Sequence, residues 1–322
     1  MSRAEILMTS PMLPSVIETL DAAFVLHRLW EQPDPAGFLT ERGGRIRGLA
    51  TSTFQGRVDA ALMDALPKLE IIASFGVGYD NVDAAAAAER GIVVTNTPGV
   101  LDDEVADLTL GLLLATVRRI PQADRFVRKG RWIEGSFPLT TTLRGRRVGI
   151  VGLGAIGKAI ARRLEGFGVS IAYHGRRQQE GMAYDYYPTP VALAEACDTL
   201  VVIVPGGEGT RHLIDADVLA ALGPDGILVN VARGSVVDEP ALVQALQAGT
   251  ILAAGLDVYA DEPRVPDALV AMENVVLLPH VGSASQQTRD ALGKLVVDNL
   301  RAWFETGEAL TSVAETRHLG RR

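Results

Sequence analysis

The chain has 322 residues, 48% of them hydrophobic and 22% charged, which is enough for two domains with separate cores. Its formal net charge is −8 with no dense Lys/Arg block, so nucleic acid is not an expected partner. The longest apolar run, near Leu108 to Val117, is too short for a membrane span, and the opening MSRAEILMTSP has no apolar signal-peptide core.

In the first hundred residues, short apolar runs predict strands at Glu5–Met8, Phe24–Leu29, Ile46–Ala50, Leu69–Ser74 and Ile92–Thr95. Leu13–Leu20, Val58–Leu66 and Asp83–Arg90 read as helices between them. This alternation implies a parallel sheet with helices on its faces. Thr97-Pro98-Gly99 breaks the pattern, and a long helix is then predicted from about Asp102 to Arg119. Acidic residues open that helix and arginines close it, as the helix dipole favours. Its middle, LTLGLLLATV, is apolar nearly all round and predicts burial.

A second alternation begins at Arg147, with strands predicted at Val148–Val151, Val169–Tyr173, Leu200–Val204, Ile227–Val231, Ile251–Leu256 and Val275–Leu278. A last helix, from about Gln286 to Glu305, is expected to return to the first unit. The expected domains are residues 1-100 plus 286-322 for substrate and 101-285 for a dinucleotide. The fold class is α/β, with two Rossmann-like or flavodoxin-like domains on parallel sheets and an active site in the interdomain cleft. The one cysteine, Cys197, allows no intrachain disulfide, which fits a cytoplasmic protein.

The segment RVGIVGLGAIGKAIARRLEGFG, residues 147–168, holds G-x-G-x-x-G at Gly152, Gly154 and Gly157. Gly152 permits the tight turn, Gly154 lets the backbone approach a phosphate, and Gly157 lets helix and strand pack closely. Ile156, Ile160, Leu164 and Phe167 form one apolar stripe on the helix that follows. The motif alone is weak evidence; a strand before it, a helix after it and the βα succession beyond make it specific. NAD sites carry an acid about 20 residues past the first glycine, to bind the ribose 2′-hydroxyl. Here the strand runs Tyr173-His174-Gly175-Arg176-Arg177, with no carboxylate and two guanidinium groups. That pattern implies NADP(H), with Arg176 and Arg177 on the 2′-phosphate. The plainer reading is two surface arginines on a polar loop.

Of five histidines, His280 lies just past the predicted strand Val275–Leu278 of the second unit. Arg233 and Glu262 follow two other strands, and ligands of open α/β sheets bind outside the carboxyl ends of strands. Singly, each has an ordinary structural explanation, as an ion-pair partner or a turn residue. Together, an arginine, a carboxylate and a histidine suit the binding and protonation of an anionic 2-oxo acid. No metal is expected.

The runs VGLGAIGKAIARRLEGFG, LVNVARGSVVDEPALVQAL, AAGLDVYADEP and VVLLPHVGSAS, with FGVGYDNVD and TNTPGVLDDEVADLTLGLLLA upstream, resemble the D-isomer-specific 2-hydroxyacid dehydrogenases. The resemblance covers nearly the whole chain, with its motifs in the family's order. Within the family the chain resembles the NADPH-dependent glyoxylate/hydroxypyruvate reductases and their aryl-pyruvate-reducing relatives. The resemblance implies reduction of glyoxylate, hydroxypyruvate or phenylpyruvate to a D-2-hydroxy acid, with Arg233 on the substrate and His280 donating the proton. Glu262 would hydrogen-bond His280 and stabilise its protonated form. The amides of Val77 and Gly78 would take the substrate carboxylate.

The implied cofactor contacts around the glycine turn are Gly152, Gly154, Ala155, Ile156 and Gly157, with His174, Arg176 and Arg177 beyond. Val204, Pro205, Thr210, Val231 and Ala232 would line the same channel, with Arg233, His280 and Gly282. Asp257 would meet the nicotinamide carboxamide. Family members commonly form homodimers, so an aromatic of the partner, Trp132 or Phe137, would reach the active site. Substrate size would be set near Thr53, Phe54 and Val77. Formate dehydrogenases, which share the fold, pair the histidine with Gln, so Glu262 argues against them. Phosphoglycerate dehydrogenases often add a regulatory domain and keep the acid missing here. The remaining alternative, a dinucleotide-sensing corepressor, typically carries extended tails.

Overall fold

The computed structural model describes residues 3–53 and 56–320. The chain divides into two compact units, Met1–Leu101 with Ser285–Arg322, and Asp102–Ala284.

The first unit opens with β1 (Glu5–Met8), α1 (Pro14–Ala23), β2 (Val25–Arg28), α2 (Pro35–Arg42) and β3 (Ile46–Ser52). It continues with α3 (Ala60–Asp64), β4 (Ile71–Phe75), α4 (Ala84–Glu89) and β5 (Val93–Thr95). The strands form one parallel sheet in the order β2-β1-β3-β4-β5. β4, inside the sheet, is buried along its length, as an apolar strand covered on both faces must be. α2 is a helix that the apolar pattern does not reveal, because PAGFLTER has no buried residue. The signal for it is polar: Asp34 caps the helix by accepting from the Gly37 amide at 3.0 Å, and Pro35 fills the first turn.

The second unit begins with α5 (Asp102–Val117) and α6 (Ile120–Arg128). α5 is the helix expected from Asp102, ending at Val117, and α6 is a further helix that begins after Arg119, whose φ of 52° is left-handed. α5 is buried against the strand Ala253–Leu256, where a Cβ on Gly255 would stand 2.5 Å from Thr116 Oγ1. Then come β6 (Arg147–Val151), α7 (Ala155–Leu164), β7 (Ser170–His174), β8 (Asp185–Tyr187), α8 (Pro190–Ala196) and β9 (Thr199–Val202). The unit closes with α9 (Ala216–Leu222), β10 (Ile227–Asn230), α10 (Glu239–Ala248), β11 (Ala253–Leu256), α11 (Asp267–Ala271) and β12 (Val275–Leu277). Its parallel sheet has seven strands, β12-β11-β10-β9-β6-β7-β8, one more than the apolar runs imply. The addition, β8, is a three-residue Asp-Tyr-Tyr edge strand, too short and too polar to stand out. The order reverses between β6 and β9, which is the topological switch where such sheets take ligands.

The last helix, α12 (Gln286–Thr306), belongs to the first unit. It lies so close to β3 that a Cβ on Gly48 would sit 3.2 Å from Phe304 and 3.3 Å from Leu300. Trp303 Nε1 donates to Glu70 Oε2 at 3.1 Å, and beyond the helix Ser312 bridges Thr95 at the sheet edge. Among the described residues, no helix is long and apolar enough to cross a membrane.

Candidate active site

The glycine turn connects β6 to α7. Gly152 has φ 105°, and a Cβ there would lie 2.5 Å from the Ile203 carbonyl oxygen. A Cβ on Gly157 would lie 2.1 Å from the Gly152 carbonyl oxygen, so strand and helix meet backbone to backbone. Gly154 differs: no protein atom lies within 4 Å of where its Cβ would be. Protein packing does not require glycine there, whereas close approach of a ligand does. Side chains of Thr189, Asp215 and Asp238 cap α8, α9 and α10, but no side chain caps α7. Its first amides, around Ala155 and Ile156, thus face outward at the positive end of the helix dipole, which is a site for a phosphate. The apolar stripe on α7 is shorter than its sequence suggests, since the helix ends at Leu164 and Phe167 is 38% exposed.

At the end of β7, His174 is tied through Nδ1 to the Tyr187 carbonyl at 3.0 Å. Arg176 and Arg177 are exposed, and neither guanidinium has a hydrogen bond or ion pair among the described residues. Gln179 fastens their loop to the glycine turn by donating from Nε2 to the Leu153 carbonyl at 2.7 Å. Across the switch, Val204 packs where a Cβ on Gly152 would go, and Thr210 Oγ1 donates to the Pro205 carbonyl at 2.7 Å. Val231 and Ala232 are buried at the end of β10. These residues fit a dinucleotide bearing an additional phosphate.

Three strand ends bring the reactive side chains together. After β10, buried Asn230 shapes the turn: its Oδ1 accepts from Ala232 N and its Nδ2 donates to the Arg233 carbonyl, both at 3.1 Å. Arg233 Nη1 donates to the Ala232 carbonyl at 2.8 Å. After β12, His280 takes a left-handed φ of 54°, and its Nδ1 meets Glu262 Oε2 at 2.7 Å. Glu262 Oε1 accepts the Tyr259 amide at 3.0 Å. Burial pushes the Glu262 carboxyl up. The His280 hydrogen bond and charge, the Tyr259 amide and Arg233 outweigh that and leave it below its ordinary value. Glu262 is therefore a carboxylate near neutral pH, His280 Nδ1 carries a proton toward it, and proton exchange with a ligand falls to Nε2.

Asp257 braces the turn that follows His280. Its two oxygens accept the Val281 and Gly282 amides at 2.7 and 2.8 Å. Burial pushes its carboxyl up, against the pull of those amides. Sequence motifs give this bracing no sign, because it joins residues about two dozen positions apart.

Tyr259 and Gly234 are also missed by motif reading. The Tyr259 hydroxyl donates to the Leu278 carbonyl at 2.9 Å, two residues before His280, while its amide holds Glu262. A Cβ on Gly234 would stand 1.9 Å from the Tyr259 carbonyl carbon, so the Arg233 turn and the Glu262 turn touch there. Gly234→Ala must push these turns apart. The expected result is a kcat more than tenfold lower with dinucleotide affinity kept, measured by steady-state kinetics and cofactor fluorescence. A wild-type kcat would show that this contact does not set the geometry.

Val77 and Gly78 form the turn after β4, in the first unit. Thr53 is described, whereas Phe54 lies outside the described residues. Trp132 is 67% exposed. Phe137 instead packs on Phe126, 5.4 Å between ring centroids, and beneath the Arg119 guanidinium.

Residues 110–282 match the NAD-binding domain of the D-isomer specific 2-hydroxyacid dehydrogenases. The chain is 49% identical to the hydroxyphenylpyruvate reductase of Plectranthus scutellarioides over 96% of its own length and 98% of the relative's. It is 47% identical to glyoxylate/hydroxypyruvate reductase A of Arabidopsis thaliana, with the same coverage. Among solved structures, the NADPH-dependent glyoxylate/hydroxypyruvate reductase of Sinorhizobium meliloti, in complex with NADP and malonate, superposes with a TM-score of 0.94. The two are 58% identical, covering 100% of this chain and 99% of that one.

Proposed function

Because the chain belongs to the D-isomer specific 2-hydroxyacid dehydrogenases, we propose that it uses NADPH to reduce small 2-oxo acids to D-2-hydroxy acids. It is an enzyme of the glyoxylate/hydroxypyruvate reductase type, and its cofactor is NADP(H). The observation that carries the reading is the 2.7 Å bond between His280 and Glu262 at adjoining strand ends. A dinucleotide-sensing corepressor can retain the same triad, so turnover with a 2-oxo acid is what separates the two readings.

When bound, NADPH supplies the hydride. Arg233 binds the substrate carboxylate and polarises the carbonyl, and the Val77 and Gly78 amides are further donors to the carboxylate. As negative charge grows on the carbonyl oxygen, His280 Nε2 gives it a proton. Glu262 offsets the imidazolium charge and fixes the ring through Nδ1. Asp257 keeps the turn after His280 in place and, in this reading, meets the nicotinamide carboxamide. Arg176 and Arg177 bind the 2′-phosphate.

The test is oxidation of NADPH and NADH with glyoxylate, hydroxypyruvate and phenylpyruvate, with chiral analysis of the product. D-products formed with NADPH support the reading. No turnover with any 2-oxo acid would replace it with the corepressor-like one.

The same reading makes the protein a cytoplasmic homodimer. Of ten large apolar residues exposed among the described ones, five lie between residues 120 and 139: Ile120, Val127, Trp132, Ile133 and Leu139. So many exposed apolar side chains in one segment call for a partner surface, and a second copy supplies one. Trp132, rather than the self-packed Phe137, is the aromatic able to reach a partner's site. The pair Ile133→Asp and Leu139→Asp is expected to give a monomer with at least tenfold lower activity, measured by light scattering and turnover. A wild type that is monomeric at micromolar concentration would end the dimer reading.

A further inference from the structure

We propose that Asn96 is a positioning residue for the substrate, one that turns the Val77–Gly78 peptide so that its N–H faces the substrate carboxylate. The proposal rests on the 2-oxo acid reductase reading given above.

Two consecutive peptides form the turn after β4, and a fixed partner holds the carbonyl of each. The Gly76 carbonyl accepts the Thr97 amide at 3.0 Å. The Val77 carbonyl accepts Asn96 Nδ2 at 2.7 Å. Because a carbonyl can only accept, the nearby Asn96 atom must be its nitrogen. In a trans peptide the C=O and N–H point in opposite directions. Holding the Gly76 carbonyl therefore aims the Val77 N–H away from Thr97, and holding the Val77 carbonyl aims the Gly78 N–H away from Asn96. Both residues are partly buried, and neither amide donates to any acceptor among the described residues. Two adjacent amides turned to one side form a cradle for an anion.

Asn96 itself is held firmly. Its carbonyl accepts Thr311 Oγ1 at 2.6 Å, and Thr311 Oγ1 accepts Asn299 Nδ2 at 2.9 Å, which ties the strut to α12. Its target is easily lost without it. Turning over the Val77–Gly78 peptide changes only ψ of Val77 and φ of Gly78, and glycine accepts the new φ at little cost. The turned peptide would present a carbonyl oxygen to the substrate carboxylate, so one amide is lost and a repulsion gained.

The test compares Asn96→Ala and the equally sized Asn96→Asp with wild type. Measured are kcat and KM for glyoxylate with NADPH, the Ki of oxalate as an unreactive carboxylate, NADPH affinity by fluorescence, and the pH profile of kcat. For Asn96→Ala, KM and Ki are expected to rise about tenfold or more, which is the range for a bond to a charged group. Asn96→Asp should raise them further, since its carboxylate cannot donate and repels the substrate. With ground-state and transition-state binding weakened alike, kcat should stay within about threefold. The pH profile and NADPH affinity should not move, because they depend on residues of the second unit. A general loss of packing would instead lower kcat and NADPH affinity together in Asn96→Ala and spare the isosteric Asn96→Asp, which overturns the proposal. Unchanged KM and Ki in both variants overturn it too, leaving the reductase reading intact. A wild type that reduces no 2-oxo acid overturns that reading itself.

Discussion

His280→Ala is expected to lower kcat for 2-oxo acid reduction by about 10²- to 10⁴-fold, the usual contribution of a positioned general acid. NADPH affinity should change little, because the residue acts on the substrate oxygen. The physical basis is the bond from His280 Nδ1 to Glu262 Oε2, which fixes the ring and leaves Nε2 as the donor. Stopped-flow single turnovers separate this step from product release. A kcat within tenfold of wild type would show that some other group, or water, supplies the proton.

The two reaction directions must respond to pH in opposite senses. Reduction takes up a proton, so kcat/KM for the oxo acid falls as pH rises, whereas oxidation of the hydroxy acid releases one and rises with pH. Glu262→Gln keeps a hydrogen-bonding group but removes the charge that offsets the imidazolium, so reduction should slow. Glu262 also sets an acid limit. Its folded pKa lies below the ordinary value of 4.5, so its contribution to stability is present above pH 4.5 and is lost as pH falls through the depressed value.

The sequence and the structure agree best where chemistry demands particular residue types at particular strand ends. Gly152, Arg233, Glu262 and His280 can be found because each follows an apolar run, and in a parallel sheet the carboxyl ends of those runs lie on one side. The supports of these residues are harder to see. Asp257, Tyr259 and Gln179 act through hydrogen bonds to backbone atoms 19 to 26 positions away, separations that the three-dimensional packing alone sets. Elements whose stability comes from caps or edge pairing also escape the apolar pattern. α2 depends on Asp34 and Pro35, and β8 is stapled by its pairing with β7 and by the Arg147–Asp185 ion pair at 2.6 Å. The turn between α5 and α6 rests on one residue, Arg119, whose left-handed backbone has no composition signal. Arg176 and Arg177 are legible for a different reason: the acid that an NAD site needs is missing, and cations stand in its place.

Replacing both arginines, Arg176→Ala with Arg177→Ala, is expected to raise KM for NADPH about 100-fold and to change KM for NADH by less than threefold. Each guanidinium supplies a charge-assisted, potentially bidentate bond to a phosphate, and a tenfold loss apiece is modest for such bonds. The site is exposed, so part of this attraction is screened. Wild-type KM for NADPH should therefore climb between 50 and 500 mM salt, whereas that of the double variant should be nearly flat. Arginines engaged in surface ion pairs would show neither effect, and here neither has such a partner among the described residues. Adding His174→Asp sharpens the test. An acid at the end of β7 repels a 2′-phosphate and accepts from a 2′-hydroxyl, so the triple variant should favour NADH. The Gln179 bond to Leu153 keeps the loop against the glycine turn throughout, so lost affinity reports on charge rather than on loop position. Retention of NADPH preference by the double variant would move the 2′-phosphate contact elsewhere on the chain.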